Sequence, residues 1–283
     1  MATGRRTVLP LPDGTPERLE GGWKNELLRY GEAVLRLERT TLGSARWEHE
    51  LLRFLAPRVP EAVLPLAGPE PWECGRVASL WPWVPGAPLD RGDEAQRLAL
   101  VELLARLHRA GLAWQGGPRP GVPGYPDLDP VRNRWWDWEL VEKPPALIRA
   151  YEATRDWLAD PPGLALGAVH GDVSRGNLRV REGRIVALLD WEDARLDWPA
   201  WELANATWEA CRAGDALDDA RAERFLAAYA ETGGPGERSA FGPLLRLRLV
   251  ADVLYSLTSK ARGEPYDSDH VAFLLRALER LGA

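Results

Sequence analysis

Cysteine is nearly missing from this chain of 283 residues: Cys74 and Cys211 are the only two, far apart and in no metal-ligand spacing. That excludes a disulfide scaffold and a zinc site, and leaves two reduced structural thiols as the expectation. No apolar run approaches the ~20 residues that span a bilayer. The short run after Arg5 and Arg6 is broken by Pro10 and Pro12, unlike a secretory leader. The reading is a cytoplasmic chain with no membrane partner. Positive charge is not in excess either: 36 Lys and Arg face 42 Asp and Glu, a formal charge of −6, so a broad nucleic-acid face is excluded as well. There is no internal repeat and no low-complexity tract.

What is abundant is apolar surface. Hydrophobic residues make up 45% of the chain and fourteen are Trp, enough to fill a sizeable core. From Arg18 to Arg39 the chain reads as strand, Gly-rich turn at Gly21-Gly22-Trp23-Lys24-Asn25, and strand through Ala33–Leu37. Ser44 is placed to cap a helix carrying Trp47, Leu51, Leu52 and Leu55 at helical spacing, stopped before Pro57 and Pro60. Two further β-like runs, Ala62–Leu66 and Arg76–Leu80, lead into Trp81-Pro82-Trp83-Val84-Pro85-Gly86, where regular structure must stop. This divides the chain into a β-rich part, residues 1–82, and a mostly helical part, residues 83–283. The second part begins with a helical pattern over Asp93–Arg109 and a Gly/Pro-rich loop from Gly116 to Pro130.

The chemistry is concentrated between His170 and Asp190. Glu182-Gly183 sits between two apolar, β-rich runs, so Leu178–Val180 and Arg184–Leu189 should pair as a hairpin. Asn177 enters the first strand and Asp190 leaves the second, which brings an amide oxygen and a carboxylate to the same end. Both are hard oxygen ligands suited to Mg²⁺, which completes its shell with phosphate and water rather than with protein alone. Asp172 lies on the loop just before and faces the same place. The functional reading makes Asp172 the acceptor or orienter of a hydroxyl proton and Asn177 with Asp190 the metal ligands. The bland reading is turn chemistry, which Asp and Asn favour by bonding their own backbone. Three such residues at this spacing weigh against it. His170 has no other His near in sequence and reads as a brace for the loop.

His170-Gly171-Asp172-Val173-Ser174-Arg175-Gly176-Asn177, followed by Leu189-Asp190-Trp191-Glu192-Asp193, resembles the paired signature of the aminoglycoside phosphotransferase superfamily. That family includes antibiotic, choline and type II homoserine kinases. The resemblance implies an α+β, bilobal protein-kinase-like fold with a small β-rich N-lobe. It also implies a small-molecule kinase with Mg²⁺, ATP or GTP as co-substrate, and a small-molecule acceptor. By the same resemblance Gly21 and Gly22 cover the phosphates, Arg36 is the nucleotide-contacting cation with Glu48 as its partner, and the run from Trp81 through Trp83 leads into the linker that meets the base. The chain departs from the pattern in three places: Arg36 stands where protein kinases have Lys, Asp197 where the family has Gly, and Glu202 where it has Asp.

No Gly-x-x-x-x-Gly-Lys run exists, which excludes a P-loop kinase. The spacing of Gly171, Ser174 and Gly176 does not fit a hydrolase elbow. A rival of another class is a nucleotide-binding pseudokinase that serves as an interaction module. Intact Asp172, Asn177 and Asp190 argue against it, while Arg36 keeps it open. For the acceptor, the carboxylates Glu192, Asp193, Asp197, Glu202 and Glu209, set among Trp198, Trp201 and Trp208, predict an acidic pocket for a cationic or amino-bearing molecule. Asp193, Glu202, Trp138 and Trp201 are its candidate contacts, and a solvated helix face is the competing account of the charges.

Overall fold

Tyr30-Gly31-Glu32-Ala33 is a two-residue turn: Gly31 takes φ 57°, and β2 (Glu26–Tyr30) folds back on β3 (Ala33–Glu38) with Tyr30 opposite Ala33. The structure, a computed structural model, describes residues 9–19 and 25–282. Where one hairpin was expected from Arg18 to Arg39, there are two pairings. The short β1 (Glu17–Arg18) also runs antiparallel to β2, because Glu26–Tyr30 is itself a strand and Gly31 supplies the second reversal. Gly21 and Gly22 lie outside the described residues.

Helix α1 (Leu42–Leu55) starts earlier than predicted. Thr41, not Ser44, is its N-cap, and the Thr41 hydroxyl accepts from the Ser44 amide at 3.1 Å. Leu51, Leu52 and Leu55 are fully buried, each contributing about 1.5–3 kcal/mol relative to exposure. The strand expected at Ala62–Leu66 is displaced to β4 (Ala67–Pro71). Pro65 has no N–H for a ladder, and Ala62 makes only a single bridge to Leu188. With β5 (Val77–Pro82) these strands form one antiparallel sheet in the order β1-β2-β3-β5-β4.

The rest is mainly helical: α2 (Glu94–Leu112), α3 (Pro145–Ala159), α4 (Pro199–Cys211), α5 (Asp219–Glu231), α6 (Phe241–Ala261) and α7 (Ser268–Leu281). Asp93 caps α2. Set among them are β6 (Gly167–Val169) paired with β9 (Arg195–Asp197), and the hairpin β7 (Leu178–Arg181) and β8 (Arg184–Leu188). Helix α2 passes so close to β6 that a Cβ on Gly111 would stand 2.0 Å from the Ala168 carbonyl. Only glycine lets the helix back the strand that delivers His170. Among the described residues no helix is long and apolar enough to cross a membrane.

His49, on the buried face of α1, sets a pH dependence for the fold. Its Nε2 lies 3.2 Å from the Ser79 hydroxyl, and its ring packs edge-on against Trp81. Burial pushes its pKa down to about 4. The unfolded chain takes up this proton near pH 6.5 and the folded chain only near 4, so His49 leaves stability whole above 6.5 and erodes it as pH falls through that window. At ~1.4 kcal/mol per pH unit the loss approaches about 3 kcal/mol. Urea denaturation of wild type and His49→Met from pH 7 to 4 should show a shallower decline in the variant, and parallel declines would remove His49 as the cause.

Candidate active site

Gly171 fixes the start of the loop. Its φ is +86°, and a Cβ there would meet the Asp193 carbonyl at 2.2 Å, so no other residue fits. Glu202 on α4 holds the loop from beneath: its two carboxylate oxygens accept from the amides of His170 (3.2 Å) and Gly171 (2.5 Å), and Oε2 also meets His108 Nε2 at 3.0 Å. Burial disfavours this charge, but the donors from His108 and Gly171 hold the carboxyl below its ordinary range. His108 in turn touches the Tyr229 hydroxyl at 2.6 Å. Glu202 is therefore not an acceptor contact. It is fully buried, and its oxygens are spent on the loop.

His170 braces the same loop. Its Nδ1 accepts from the Asp172 amide at 3.1 Å, leaving Nε2–H to donate to the Leu189 carbonyl at 2.8 Å. Loop and hairpin are tied together again where the Leu189 amide donates to the Asn177 carbonyl at 2.7 Å. That bond sets Asp190 beside Asn177. The turn closing the far end, Glu182-Gly183, has φ 52° and 74°, the pair of positive values that a two-residue hairpin with right-handed strand twist needs.

Asn177 Nδ2 donates to Asp172 twice, to Oδ2 at 2.8 Å and to the carbonyl at 3.0 Å. Its amide oxygen is thereby turned away from Asp172. Asp190 is held in the left-handed region at φ 63°, ψ 69°, a conformation that Asp tolerates better than most residues and that costs on the order of 1 kcal/mol. Burial pushes the carboxyls of Asp172 and Asp190 up, and the charge of Asp193 adds to both. Arg36 acts in the other direction on Asp190. Such a carboxylate cluster gains from a cation among it.

Asp172, Asn177 and Asp190 stand on one wall of a cleft of about 900 Å³ that the N-terminal sheet closes from the other side. Arg36 on β3 reaches in, with its Nη2 2.5 Å from Glu48 Oε1 and its Nε 2.9 Å from Glu38 Oε1. The Arg36 guanidinium sits 4.5 Å from the centre of the Trp81 ring. Trp81 and Trp83 both line the cleft, and Trp83 is covered by Arg29 at 4.1 Å. The Asn25 amide donates to Glu192 across the opening.

The remaining acceptor candidates divide. Asp193 and Trp201 line the cleft. Trp138 does not. Its ring stacks on Tyr151 at 3.8 Å under Lys143, away from the cleft, because Trp138 belongs to the α3-side core. The expected acidic pocket is corrected too. Asp197 is buried and bonded to Arg195 (2.7 Å) and the Trp198 amide (2.8 Å). It ends strand β9, where no glycine is required. Glu209 pairs with Arg91 at 2.7 Å. In their place the cleft presents residues that the sequence reading missed: Arg195, ringed by Tyr125, Trp135 and Trp201 at 4.7–5.5 Å, and the α6 ion pair Arg248–Asp252. An Arg and an Asp four apart in a largely apolar stretch of α6 was the available signal for that pair.

Residues 15–241 match the profile of the Phosphotransferase enzyme family. The chain is 26% identical over 220 residues to a homoserine kinase of Polaromonas naphthalenivorans (strain CJ2), covering 70% of this chain and 66% of that protein. It thus spans just under two thirds of that relative's length. Among solved structures, the macrolide 2′-phosphotransferase MphH from Brachybacterium faecium is 26% identical, with a TM-score of 0.59 over 93% of this chain and 91% of its own. Amicoumacin kinase hAmiN, solved with AMP-PNP, Ca²⁺ and Ami, is 15% identical with a TM-score of 0.71, over 94% and 87%. The two-part architecture is the kinase-like fold of these structures.

Proposed function

The chain belongs to the phosphotransferase enzyme family, and from that premise and the cleft geometry we propose that it moves the terminal phosphoryl group of ATP or GTP to a hydroxyl of a small molecule. The observation that carries the reading is the convergence of Asp172, Asn177 and Asp190 at the hairpin end, opposite Arg36.

In this reading residues 1–82 serve the nucleotide, and residues 83–283 carry the catalytic loop and the acceptor. Trp81 and Trp83 flank the base, and Arg36, steadied by Glu48, neutralises phosphate charge. Asn177 Oδ1 and the Asp190 carboxylate are an oxygen donor set that fits Mg²⁺, and Mg²⁺ when bound supplies charge neutralisation to the phosphates. Asp172 accepts the hydroxyl proton from the acceptor. The acceptor oxygen forms its new P–O bond as the bond to the nucleoside diphosphate breaks, and Asn177 keeps the Asp172 carboxylate aimed.

For the acceptor we favour a hydroxylated, amino-bearing molecule, held by Asp193 in the part of the cleft that Trp201 also lines. Arg195 and Arg248 beside Asp193 and Asp252 favour a second reading, an acceptor that carries both an amine and a carboxylate, the chemistry that the name of the homoserine kinase relative denotes. The test is a panel of aminoglycosides, macrolides, choline and homoserine, assayed for Mg²⁺-dependent nucleotide consumption. Turnover with one class is expected. Tight nucleotide binding with no turnover across a broad metabolite panel would instead make the protein a pseudokinase.

A further inference from the structure

Arg119 lies in the loop after α2, more than fifty residues before Asp172, and its guanidinium is almost wholly buried. It makes four hydrogen bonds. Nε donates to the Ser44 hydroxyl (2.8 Å) and Nη2 to Glu48 Oε2 (2.9 Å), both on α1. Nη1 donates to the carbonyls of Trp191 (2.9 Å) and Ala194 (3.1 Å), in the segment that leaves Asp190. Glu48 is shared: one oxygen faces Arg119 and the other Arg36. One side chain from the helical part thus connects the partner of the nucleotide cation to the segment that follows Asp190.

The need for it follows from a charge count. Glu38 stands two residues after Arg36, on the same side of β3, and is buried with an oxygen 2.8 Å from Arg36 Nη2. Arg36 alone would face two buried carboxyls: Glu48, held ionised by its cations, and Glu38, which burial pushes up to about 7 and which therefore carries part of a charge at neutral pH. Together they would cancel the positive potential of Arg36 toward the cleft. Arg119 brings the cluster to two cations and two carboxylates. It does so from the Glu48 side, away from the cleft that Arg36 lines.

We propose that Arg119 is a positioning residue for phosphoryl transfer: it takes up half of Glu48, so that Arg36 keeps positive potential for the phosphates, and locks α1 to the Asp190 segment. This rests on the kinase reading above. The test is calorimetric Mg-nucleotide affinity of the full chain with Arg119→Gln, Glu38→Gln, and the two combined. Arg119→Gln should weaken binding by about tenfold, the scale of one partly screened charge at several ångströms. Removing the surplus carboxylate in the double variant should restore most of the loss. A residue that only packs the loop would show no such rescue, so an unrescued loss, or wild-type affinity in Arg119→Gln, overturns the proposal. If Arg119→Gln does not fold, Glu38→Gln decides alone: tighter binding than wild type supports the charge count, and equal or weaker binding overturns it. Failure of the wild-type protein to bind any nucleoside triphosphate would overturn the kinase reading and, with it, this one.

Discussion

Asp172→Asn is expected to lower kcat by ~10²–10⁴, the usual contribution of a positioned base, while Mg-nucleotide affinity stays within about twofold of wild type. The geometry makes this a clean substitution. Asn177 donates to Asp172 Oδ2, and an Asn at 172 still offers one amide oxygen to that donor. The loop bonds of Glu202 and His170 go to the backbone, so they do not depend on the 172 side chain. What is removed is the capacity to take a proton. Steady-state kinetics with any acceptor found in the panel, beside calorimetric nucleotide binding, separates the two quantities. Full kcat in the variant would reduce Asp172 to a loop former.

The second large effect is expected at Asp190. Asp190→Asn should abolish the Mg²⁺-dependent part of nucleotide affinity, a loss of at least about 100-fold, since disturbing even the outer shell of a metal site costs 10–100-fold. Affinity measured in EDTA should be unchanged or higher, because a negative charge facing the phosphates is gone. Asn is preferred to Ala here because the residue sits at φ 63°, where Asn is at ease and Ala is strained. Titrating nucleotide with and without Mg²⁺ reads both outcomes, and an unchanged Mg²⁺ effect in a folded variant would remove Asp190 from the metal site.

The hairpin at the heart of the site was legible because it is local. Glu182-Gly183 dictates a reversal whichever way the rest folds, and Asn177 and Asp190 are then brought together by strand pairing alone. The α1 helix and the near position of its end were legible for the same reason, from apolar spacing and Pro57. The β-rich start was less so. Strands of five or six residues are defined by their partners, and the sequence pattern alone does not reveal that Glu26–Tyr30 is a strand of its own.

The acceptor side shows the limit most clearly. Asp193, Asp197, Glu202 and Glu209 look alike along the chain, yet Asp193 faces the cleft, Asp197 caps its own strand end against Arg195, Glu202 lies beneath the loop, and Glu209 pairs with Arg91. Which way each carboxylate points depends on the partner the fold brings to it: Arg195 for Asp197, His108 on α2 for Glu202, and Arg91 for Glu209. What the sequence by itself determined was the local chemistry: the loop from His170, the turn at Glu182-Gly183, and the metal-type donors at its end, all set by backbone preferences within about twenty residues. Tertiary structure alone decided the meeting of other distant charges, Glu48 with Arg119, Glu202 with His108, and Arg248 near the loop from His170. Those contacts are made by burial, and a buried charge must find its opposite wherever the fold brings one, at a sequence separation that no local pattern encodes.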